Sequence, residues 1–320
     1  MRKSVKLCNI DFFLLFPFMT TLFEHHIKID NISDNTTDKL IDVKALTALT
    51  ALFDSLNKTD NALSKSQLKQ AINKGALWLT RGKHTQRLRR LKRVLHQGDE
   101  LHFYYNETVL ANEVPEAILI GDKNDYSVWY KPFGMLSQGS KWSDHCTITR
   151  FAQQYFPSER AVFIVHRLDK AATGLILIAH SKKAAQALSS MFENRTTNSN
   201  SLEKYYQIIV HGNHSNNTQP QIIATEVDGK SARSTFICLN YDKTKNQSLI
   251  EVKIESGRKH QIRIHAASIG LPIVGDRLHG IADINEQLNL QLCAVSLCFT
   301  CPITQKKHNF KLPDLLRPQL

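Results

Sequence analysis

The sequence predicts an α+β fold in two parts, a small basic domain followed by a larger, sheet-rich domain. The predicted strands outnumber the helices and follow one another without a regular strand–helix alternation, which is typical of a mostly antiparallel, mixed sheet with a few helices. The chain has 320 residues, enough for two ordinary domains. Hydrophobic residues make up 42% of it, which is enough to fill a packed core and excludes global disorder.

The first 42 residues carry the weakest structural signal. The opening segment, MRKSVKLCNIDFFLLFPFMTTLF, imitates a signal peptide, but Asp11 and Pro17 interrupt its apolar run and no small-x-small cleavage site follows. The run is also too short to span a bilayer. We expect translation to begin at Met19 and residues 1–42 to be a disordered or misassigned extension, with an export signal as the alternative. The protein is then expected to be cytoplasmic, with no membrane partner.

Residues 43–108 are predicted to form a small α/β domain. Leucines recur at three- and four-residue spacing from Leu46 to Leu56, which predicts a helix. Ser64 can cap a second helix, and Gly75 can end it. Two strands are predicted to complete the domain, at 76–79 and 100–105.

A strongly basic loop lies between these two strands. Seven of the thirteen residues in 81–93 are Lys or Arg, and the whole chain has a net charge of +12. So large an excess of one sign favours a polyanionic partner such as an RNA or DNA backbone, although a solvated surface is the usual fate of a charge run. The loop residues that we predict to contact nucleic acid are Arg87, Arg89 and Arg90.

Residues 109–124 are predicted to be a linker, and residues 125–320 the larger, sheet-rich domain. Within this domain two apolar strands, 161–165 and 174–179, flank the charged sequence HRLDK. A turn does not need this density of charge. Asp169 is the only carboxylate there, and a cation should keep it ionised next to an apolar strand; Arg263 is the candidate. Asp169 could then be a nucleophile or base, or half of a structural ion pair, and the residues leave both open.

Several kinds of site are missing from the sequence. It contains no phosphate-binding glycine loop, no serine nucleophile elbow and no helix-turn-helix signal, so a DNA-binding regulator is supported by charge alone. Cys293, Cys298 and Cys301 have part of an iron–sulfur spacing, but no fourth ligand follows and they lie in a predicted strand. We therefore expect no metal and no cofactor.

Five segments resemble the RluA-type pseudouridine synthases, in the family's order over about 125–313. HRLDKAATGLILIA is similar to the family signature, although Ala172 and Thr173 stand where the family has Thr-Ser. The other four are YKPFGMLSQ, EKYYQIIVHG, ESGRKHQIRIHAASIGLPIVGDRLHG and LQLCAVSLCFTCP, in which Cys293 and Cys301 stand where the family usually has His. More weakly, residues 43–108 resemble the small RNA-binding domain, of the ribosomal-protein type, that precedes the catalytic domain in several such enzymes.

The resemblance implies an isomerase that converts uridine to pseudouridine in structured RNA without metal or cofactor. It implies that Asp169 attacks the target uridine, that Tyr206 stacks on the uracil and assists proton transfer, and that Arg263 pairs with Asp169. Ribosomal RNA is the expected substrate, with transfer RNA or a non-catalytic RNA-binding assembly factor as alternatives, and the protein is expected to be a monomer. Further residues expected to bind RNA are Lys131, His166, Arg167, Lys204, Arg258 and His260.

Overall fold

The computed structural model describes residues 20–30, 46–156, 160–193, 202–216, 219–281 and 288–320. The chain divides into two compact units, Met1–Ala111 and Asn112–Leu320. Sheets dominate both units and the helices are short, which confirms the predicted α+β class. The expected start at Met19 lies outside the described residues. No helix in the described ranges is both long and apolar enough to cross a membrane.

The first unit packs short helices on a four-stranded antiparallel sheet of order β1-β4-β2-β3. Ser64 begins the second helix with a capping box, since its hydroxyl accepts from the Gln67 amide at 3.2 Å while the Gln67 side chain accepts from the Ser64 amide at 2.9 Å. The elements are β1 Leu22–Lys28, α1 Ala48–Leu56, α2 Lys65–Asn73, β2 Leu77–Arg81, β3 His84–Arg87, β4 Glu100–Asn106 and α3 Glu107–Ala111.

Strand β1 shows that Leu22–Lys28, which lie in the predicted extension at 1–42, form part of the sheet. It pairs with β4 along its whole length, from Leu22 opposite Asn106 to Lys28 opposite Glu100. Its inward positions are every second residue, but a histidine, His25, stands between the two apolar ones. Because that histidine interrupts the apolar alternation, the sequence does not predict the strand.

The second unit contains one long sheet of order β10-β11-β12-β9-β13-β8-β6-β5, with β14 added beside β13 and β7 beside β8. Its strands are β5 Ile118–Asp122, β6 Tyr126–Lys131, β7 Phe163–Ile164, β8 Thr173–Ala179, β9 Leu202–His211, β10 Gln221–Ile223, β11 Ser234–Asp242, β12 Gln247–Ile254, β13 Leu292–Thr300 and β14 Lys307–Lys311. Its helices are α4 Ile148–Tyr155, α5 Lys182–Glu193, α6 Gln261–Ser268 and a 3-10 turn at Asp314–Leu316.

The predicted linker, 109–124, is largely structured. Strand β5 lies inside it and pairs antiparallel with β6, so this part of the chain belongs to the large sheet. The sequence did not indicate this because β5 is short and interrupted by Gly121, where the pairing register shifts.

The centre of the large sheet positions the loop between β7 and β8. Among the described strand pairs, β8 and β13 alone run parallel, with Gly174 opposite Ala294, while Ala294 is also opposite Tyr206 of β9. The strand that follows the Asp169 loop therefore starts one strand away from the middle of β9, with Ala294 of β13 between Gly174 and Tyr206. Hydrophobic cores cover both faces of the sheet.

Candidate active site

Asp169 lies in the loop between β7 and β8, and backbone contacts hold this loop in place. The Ser137 hydroxyl accepts from the Leu168 amide at 3.0 Å and donates to the Leu168 carbonyl at 2.7 Å. The amide of Gly134 donates to the carbonyl of Lys170 at 3.0 Å. The residues on both sides of Asp169 are thus fixed, while its own side chain stays 27% exposed.

Arg263, the predicted cation for Asp169, lies between two carboxylates. Its Nη1 is 3.6 Å from Asp169 Oδ2. Its other donors make a two-pronged contact with Asp276, from Nε to Oδ2 at 2.8 Å and from Nη2 to Oδ1 at 2.5 Å. The structure thus brings Arg263 to Asp169, but it gives Arg263 a closer partner that sequence reasoning had not singled out.

Both members of the Arg263–Asp276 pair are nearly completely buried. Burial acts to lower the pKa of Arg263, but the hydrogen bonds and charge of Asp276, followed by the charge of Asp169, raise it above its ordinary value. Burial likewise acts to raise the pKa of Asp276, but the hydrogen bond from Arg263 and those from the backbone amides of His279 and Leu278 bring it below its usual range. Both groups are therefore charged at neutral pH.

Two residues of β9 complete the immediate surroundings of Asp169. Lys204 and Tyr206 lie two positions apart and so share one face of the strand, and both are almost fully buried. The Lys204 ammonium lies 5.5 Å from the centre of the Tyr206 ring. A small cavity of about 80 Å³ is lined by Tyr206 together with Asp169 and Arg263, so the three predicted catalytic residues converge there.

A larger cleft of about 840 Å³ opens from Asp169 toward solvent. Among the described residues that line it are five cationic side chains and only two carboxylates, Asp169 and Glu193. An anionic polymer would meet a field of favourable sign along this cleft. The five cations are Arg167, Lys170, Lys204, Arg258 and Lys259.

His166 and His260, both expected to bind RNA, have different surroundings. His166 stacks on Phe192 at 4.2 Å between ring centres, and its Nε2 accepts from the Leu177 amide at 3.1 Å, so it supports the loop from behind. His260 instead turns Nε2 toward Asp169 Oδ2 at 3.7 Å. Sequence reasoning had given both residues the same function.

Lys131, which was also expected to contact RNA, lies in the interior instead. Lys131 is fully buried, and its ammonium donates to the carbonyls of Met135 at 2.9 Å, Pro132 at 3.1 Å and Lys170 at 3.4 Å. Lys131 therefore holds the loop that carries Asp169 and does not line the cleft. The sequence could not reveal this, because a lysine at a strand end is normally exposed.

In the first unit, Arg87 lies over the Trp78 ring at 4.3 Å and donates to the Gly75 carbonyl, so its guanidinium packs against its own domain. Its use as an RNA contact stays a prediction. Arg89 and Arg90 line a shallow cavity of about 750 Å³ whose other described walls include Lys92 and Arg93. The basic loop thus separates into a structural part and a cationic surface.

Cys293 and Cys298 lie on β13, in the predicted strand, whereas Cys301 follows its end. Burial raises the pKa of the Cys293 thiol to about 11. In the described part of the chain, no three His, Cys, Asp or Glu side chains lie close enough together to hold one metal ion.

The sequence is similar to known RNA-modifying proteins. Residues 125–268 match a family model described as RNA pseudouridylate synthase. An uncharacterized RNA pseudouridine synthase of Aquifex aeolicus is 28% identical over 238 residues, which is 68% of this chain and 72% of that protein. The dual-specificity RNA pseudouridine synthase RluA of Escherichia coli O157:H7 is 28% identical over 216 residues, covering 62% of this chain and 94% of that one.

A third relative and one solved structure extend the comparison. The ribosomal large subunit pseudouridine synthase D of Zymomonas mobilis is 31% identical over 166 residues, 46% of this chain and 51% of that protein. The structure of human RNA pseudouridylate synthase domain containing 1 has a TM-score of 0.53 at 20% identity, over 63% of this chain and 85% of that chain, and shows the shared fold. The family match begins at residue 125 and does not include the predicted RNA-binding domain at 43–108.

Proposed function

Since the chain belongs to the RluA-type family of RNA pseudouridine synthases and is therefore an isomerase acting on RNA uridines, we propose that Asp169 carries its reaction and that ribosomal RNA is its substrate. The observation that supports this most directly is the convergence of Asp169, Tyr206 and Arg263 on one cavity beside a cationic cleft. A structural ion pair would need neither the cleft nor the tyrosine.

The proposed chemistry starts from the ionised carboxylate of Asp169. It attacks the target nucleotide or opens its glycosidic bond, so that the bond from the sugar to N1 of uracil breaks. The uracil rotates and forms a new bond from C5 to the sugar, and any bond from the sugar to Asp169 breaks as this bond forms. The C5 proton leaves and N1 takes one up, so the product has the mass of the substrate and Asp169 is returned as the free carboxylate. Tyr206 borders the uracil and takes part in this proton transfer, while Arg263 attracts the Asp169 carboxylate from 3.6 Å and orients it.

RNA binding is assigned to the cleft and to the basic loop. A base inside a helix cannot reach a carboxylate that lies in a cavity, so the target nucleotide leaves the stack. Arg167 is exposed in the same loop as Asp169, where it can hold the RNA backbone or fill the space that the base vacates. Arg258 and Lys259 extend the same positive surface.

Ribosomal RNA is favoured over transfer RNA by two observations. The relative from Zymomonas mobilis carries the name of a ribosomal large subunit synthase, and the cationic surface of the loop at 89–93 suits a large folded RNA. Mapping pseudouridine in all cellular RNA, with and without the gene, tests the choice. A site that disappears from ribosomal RNA supports the proposal, and one that disappears only from transfer RNA contradicts it.

The variant Asp169→Asn tests the assignment of the reaction to Asp169. Because Arg263 keeps its closer partner Asp276, we expect the variant to fold with nearly unchanged thermal stability and to bind RNA, but to form no pseudouridine. Carbodiimide labelling measures the product, and thermal unfolding is followed on the same sample. Asp228→Asn, which neutralises an exposed turn carboxylate, serves as the control and should remain fully active. A folded Asp169→Asn that still makes pseudouridine would contradict the assignment.

A further inference from the structure

Two histidines form a chain that ends at Asp169. Nε2 of His260 lies 3.7 Å from Asp169 Oδ2, and Nδ1 of His260 lies 3.0 Å from Nε2 of His279. The two rings meet nearly edge to face, 5.1 Å apart at 71°, so that ring nitrogens face each other. His279 itself is not among the residues around the cavity that holds Asp169 and Tyr206.

The chemistry of the two contacts fixes where the protons lie. A neutral imidazole has one N–H donor and one acceptor nitrogen. Because the carboxylate of Asp169 can only accept, Nε2 of His260 must carry the proton to be attracted to it, and Nδ1 is then an acceptor. The partner of that acceptor, Nε2 of His279, must in turn carry a proton. Loss of His279 would leave Nδ1 of His260 without this donor and would free the ring to take the opposite tautomer.

The position of His279 depends on the same carboxylate that holds Arg263. Oδ1 of Asp276 accepts from the backbone amides of Leu278 at 3.0 Å and His279 at 3.1 Å. One buried side chain thus fixes Arg263 directly and His260 through the turn that carries His279. Both groups that face Asp169 from this side are set by a single turn.

The backbone of His260 supports a function beyond packing. Its φ and ψ are 55° and 17°, in the left-handed region, directly before helix α6. Such a conformation is unfavourable for a residue other than glycine, and it persists only where the surroundings enforce it, often at active sites. Here it directs the ring between Asp169 and His279.

We propose that His279 is a positioning residue for the isomerisation: it donates to Nδ1 of His260 and so holds the tautomer that presents Nε2–H to Asp169. The proposal rests on the catalytic function proposed for Asp169. The 3.7 Å separation is longer than a hydrogen bond, and catalytic contacts of this kind tighten when substrate binds. The donated hydrogen bond stabilises the ionised carboxylate in the orientation from which it attacks.

The pair also makes the site sensitive to acid. In the described part of the chain, the charged and titratable groups that act on His260 or line the same cavities are Arg167, Asp169 and Lys170 from the preceding loop, Lys204 and Tyr206 from β9, Arg258, Lys259 and Arg263 from its own segment, and Arg277 and His279 from the turn. Burial lowers the pKa of His260; the charge of Asp169 opposes this, while Arg263, His279 and Lys259 add to it. When His260 takes up a second proton, its Nδ1 becomes an N–H donor. It then faces the N–H donor of His279, and the hydrogen bond between the two rings is lost.

Nitrogen NMR tests the tautomer without measuring activity. Long-range nitrogen–proton correlation spectra of the full-length protein, labelled at histidine, distinguish the two tautomers, and His260→Gln identifies the signals. We expect His260 to carry its proton on Nε2 in the wild type and in His279→Gln, whose amide keeps an N–H donor. In His279→Phe both tautomers should appear. A wild-type His260 protonated on Nδ1, or one whose tautomer does not respond to His279→Phe, would overturn the proposal.

Single-turnover kinetics then test the consequence for the reaction, using RNA from a strain that lacks the gene. His279→Phe should form pseudouridine about 10-fold more slowly than the wild type, with unchanged RNA affinity. The fall of its rate on the acid side of the pH–rate profile should move to higher pH. His279→Gln should have most of the wild-type rate. Wild-type rates in a folded His279→Phe at every pH would refute the proposal. If Asp169→Asn proved active while the tautomers were as expected, the catalytic function of Asp169 would fail and the histidine contact would stand. Should His279→Phe not fold, the wild-type tautomer and the rate of His279→Gln decide.

Discussion

At the scale of single residues, the unequal sharing of Arg263 decides what each carboxylate can do. Asp276 is buried and takes two short hydrogen bonds from the guanidinium, whereas Asp169 is partly exposed and lies 3.6 Å from it. The guanidinium still attracts the Asp169 carboxylate at this distance, but it does not occupy the Asp169 oxygens with short hydrogen bonds as it does those of Asp276. Asp276 therefore holds the Arg263 guanidinium in place, and the partly exposed carboxylate of Asp169 can still contact a substrate.

Stability measurements should separate the two carboxylates. Asp276→Asn removes the counter-charge of a buried cation and should cost about 3–5 kcal/mol in the free energy of unfolding. Asp169→Asn removes only the more distant partner and should cost far less. Urea unfolding of both variants beside the wild type measures the difference. Equal losses would mean that the two carboxylates share Arg263 equally.

The buried Lys131 should make stability depend on pH. Burial lowers its pKa from 10.5 to about 7, an effect that the charge of Asp169 partly opposes. Between these values the unfolded chain binds a proton that the folded chain does not, so stability should rise with pH, by at most about 1.4 kcal/mol per pH unit. Urea unfolding at pH 7, 8 and 9 should show this rise in the wild type and a smaller one in Lys131→Met. If the stability of both proteins rose equally with pH, Lys131 would not be the group that causes the rise.

At the scale of elements, the parallel contact between β8 and β13 joins the loop of Asp169 to the centre of the sheet. Gly174 makes this contact possible: its φ is 108°, and a Cβ there would lie 2.4 Å from the backbone nitrogen and oxygen of Ala294. Only glycine satisfies both conditions. Because the same strand begins at the end of the Asp169 loop, strand pairing and the position of the carboxylate are coupled.

Gly174→Ala should therefore damage both stability and activity. The added methyl forces β8 away from β13 and strains the backbone, and together these effects should cost about 3 kcal/mol or more. Gly121→Ala is the matched control, since its φ is not positive and its Cβ would meet only the edge of the Phe310 ring at 3.4 Å. Thermal unfolding and product formation are compared for the two. Similar behaviour of both variants would contradict the importance assigned to the contact.

At the scale of the whole molecule, the chain has a net charge of +12, and two of its surfaces are lined mainly by cations, a sign that suits RNA. The catalytic unit carries a cleft with five cations, and the first unit carries the basic loop. Some basic residues of the first unit are structural: Arg81 pairs with the buried Asp99 at 2.6 Å, and Arg87 covers Trp78. The count of Lys and Arg in this loop therefore overstates the number of phosphate groups that it can bind.

Salt dependence of RNA binding tests which loop residues bind phosphate. Replacing Arg89, Arg90 and Lys92 with Gln should weaken binding and reduce the salt slope by about 0.7–0.9 for each phosphate that the variant no longer neutralises, with the rate at saturating protein preserved. The charge-matched control replaces the exposed Lys243, Lys245 and Lys306 with Gln and should leave the slope unchanged. Equal slopes in both triple variants would mean that the loop only faces solvent.

The sequence by itself determined the fold class, the strand–loop–strand around Asp169, the Lys-x-Tyr strand and the helix that carries Arg263. These features are local: alternation, capping residues and charge beside apolar runs are visible within a few positions. Family resemblance added the expected chemistry and the order of the segments. Strand β1 was not predicted, because a histidine occupies one of the inward positions in its short apolar alternation.

Only the tertiary structure determined which side chains contact one another in and around the site. It paired Arg263 with Asp276 across thirteen positions, brought His279 to His260, buried Lys131 under three carbonyls and laid Arg87 over Trp78. The sequence contains every one of these residues, but the free energy of a buried charge or a ring nitrogen depends on the groups within a few ångströms of it, and folding brings those groups from distant segments.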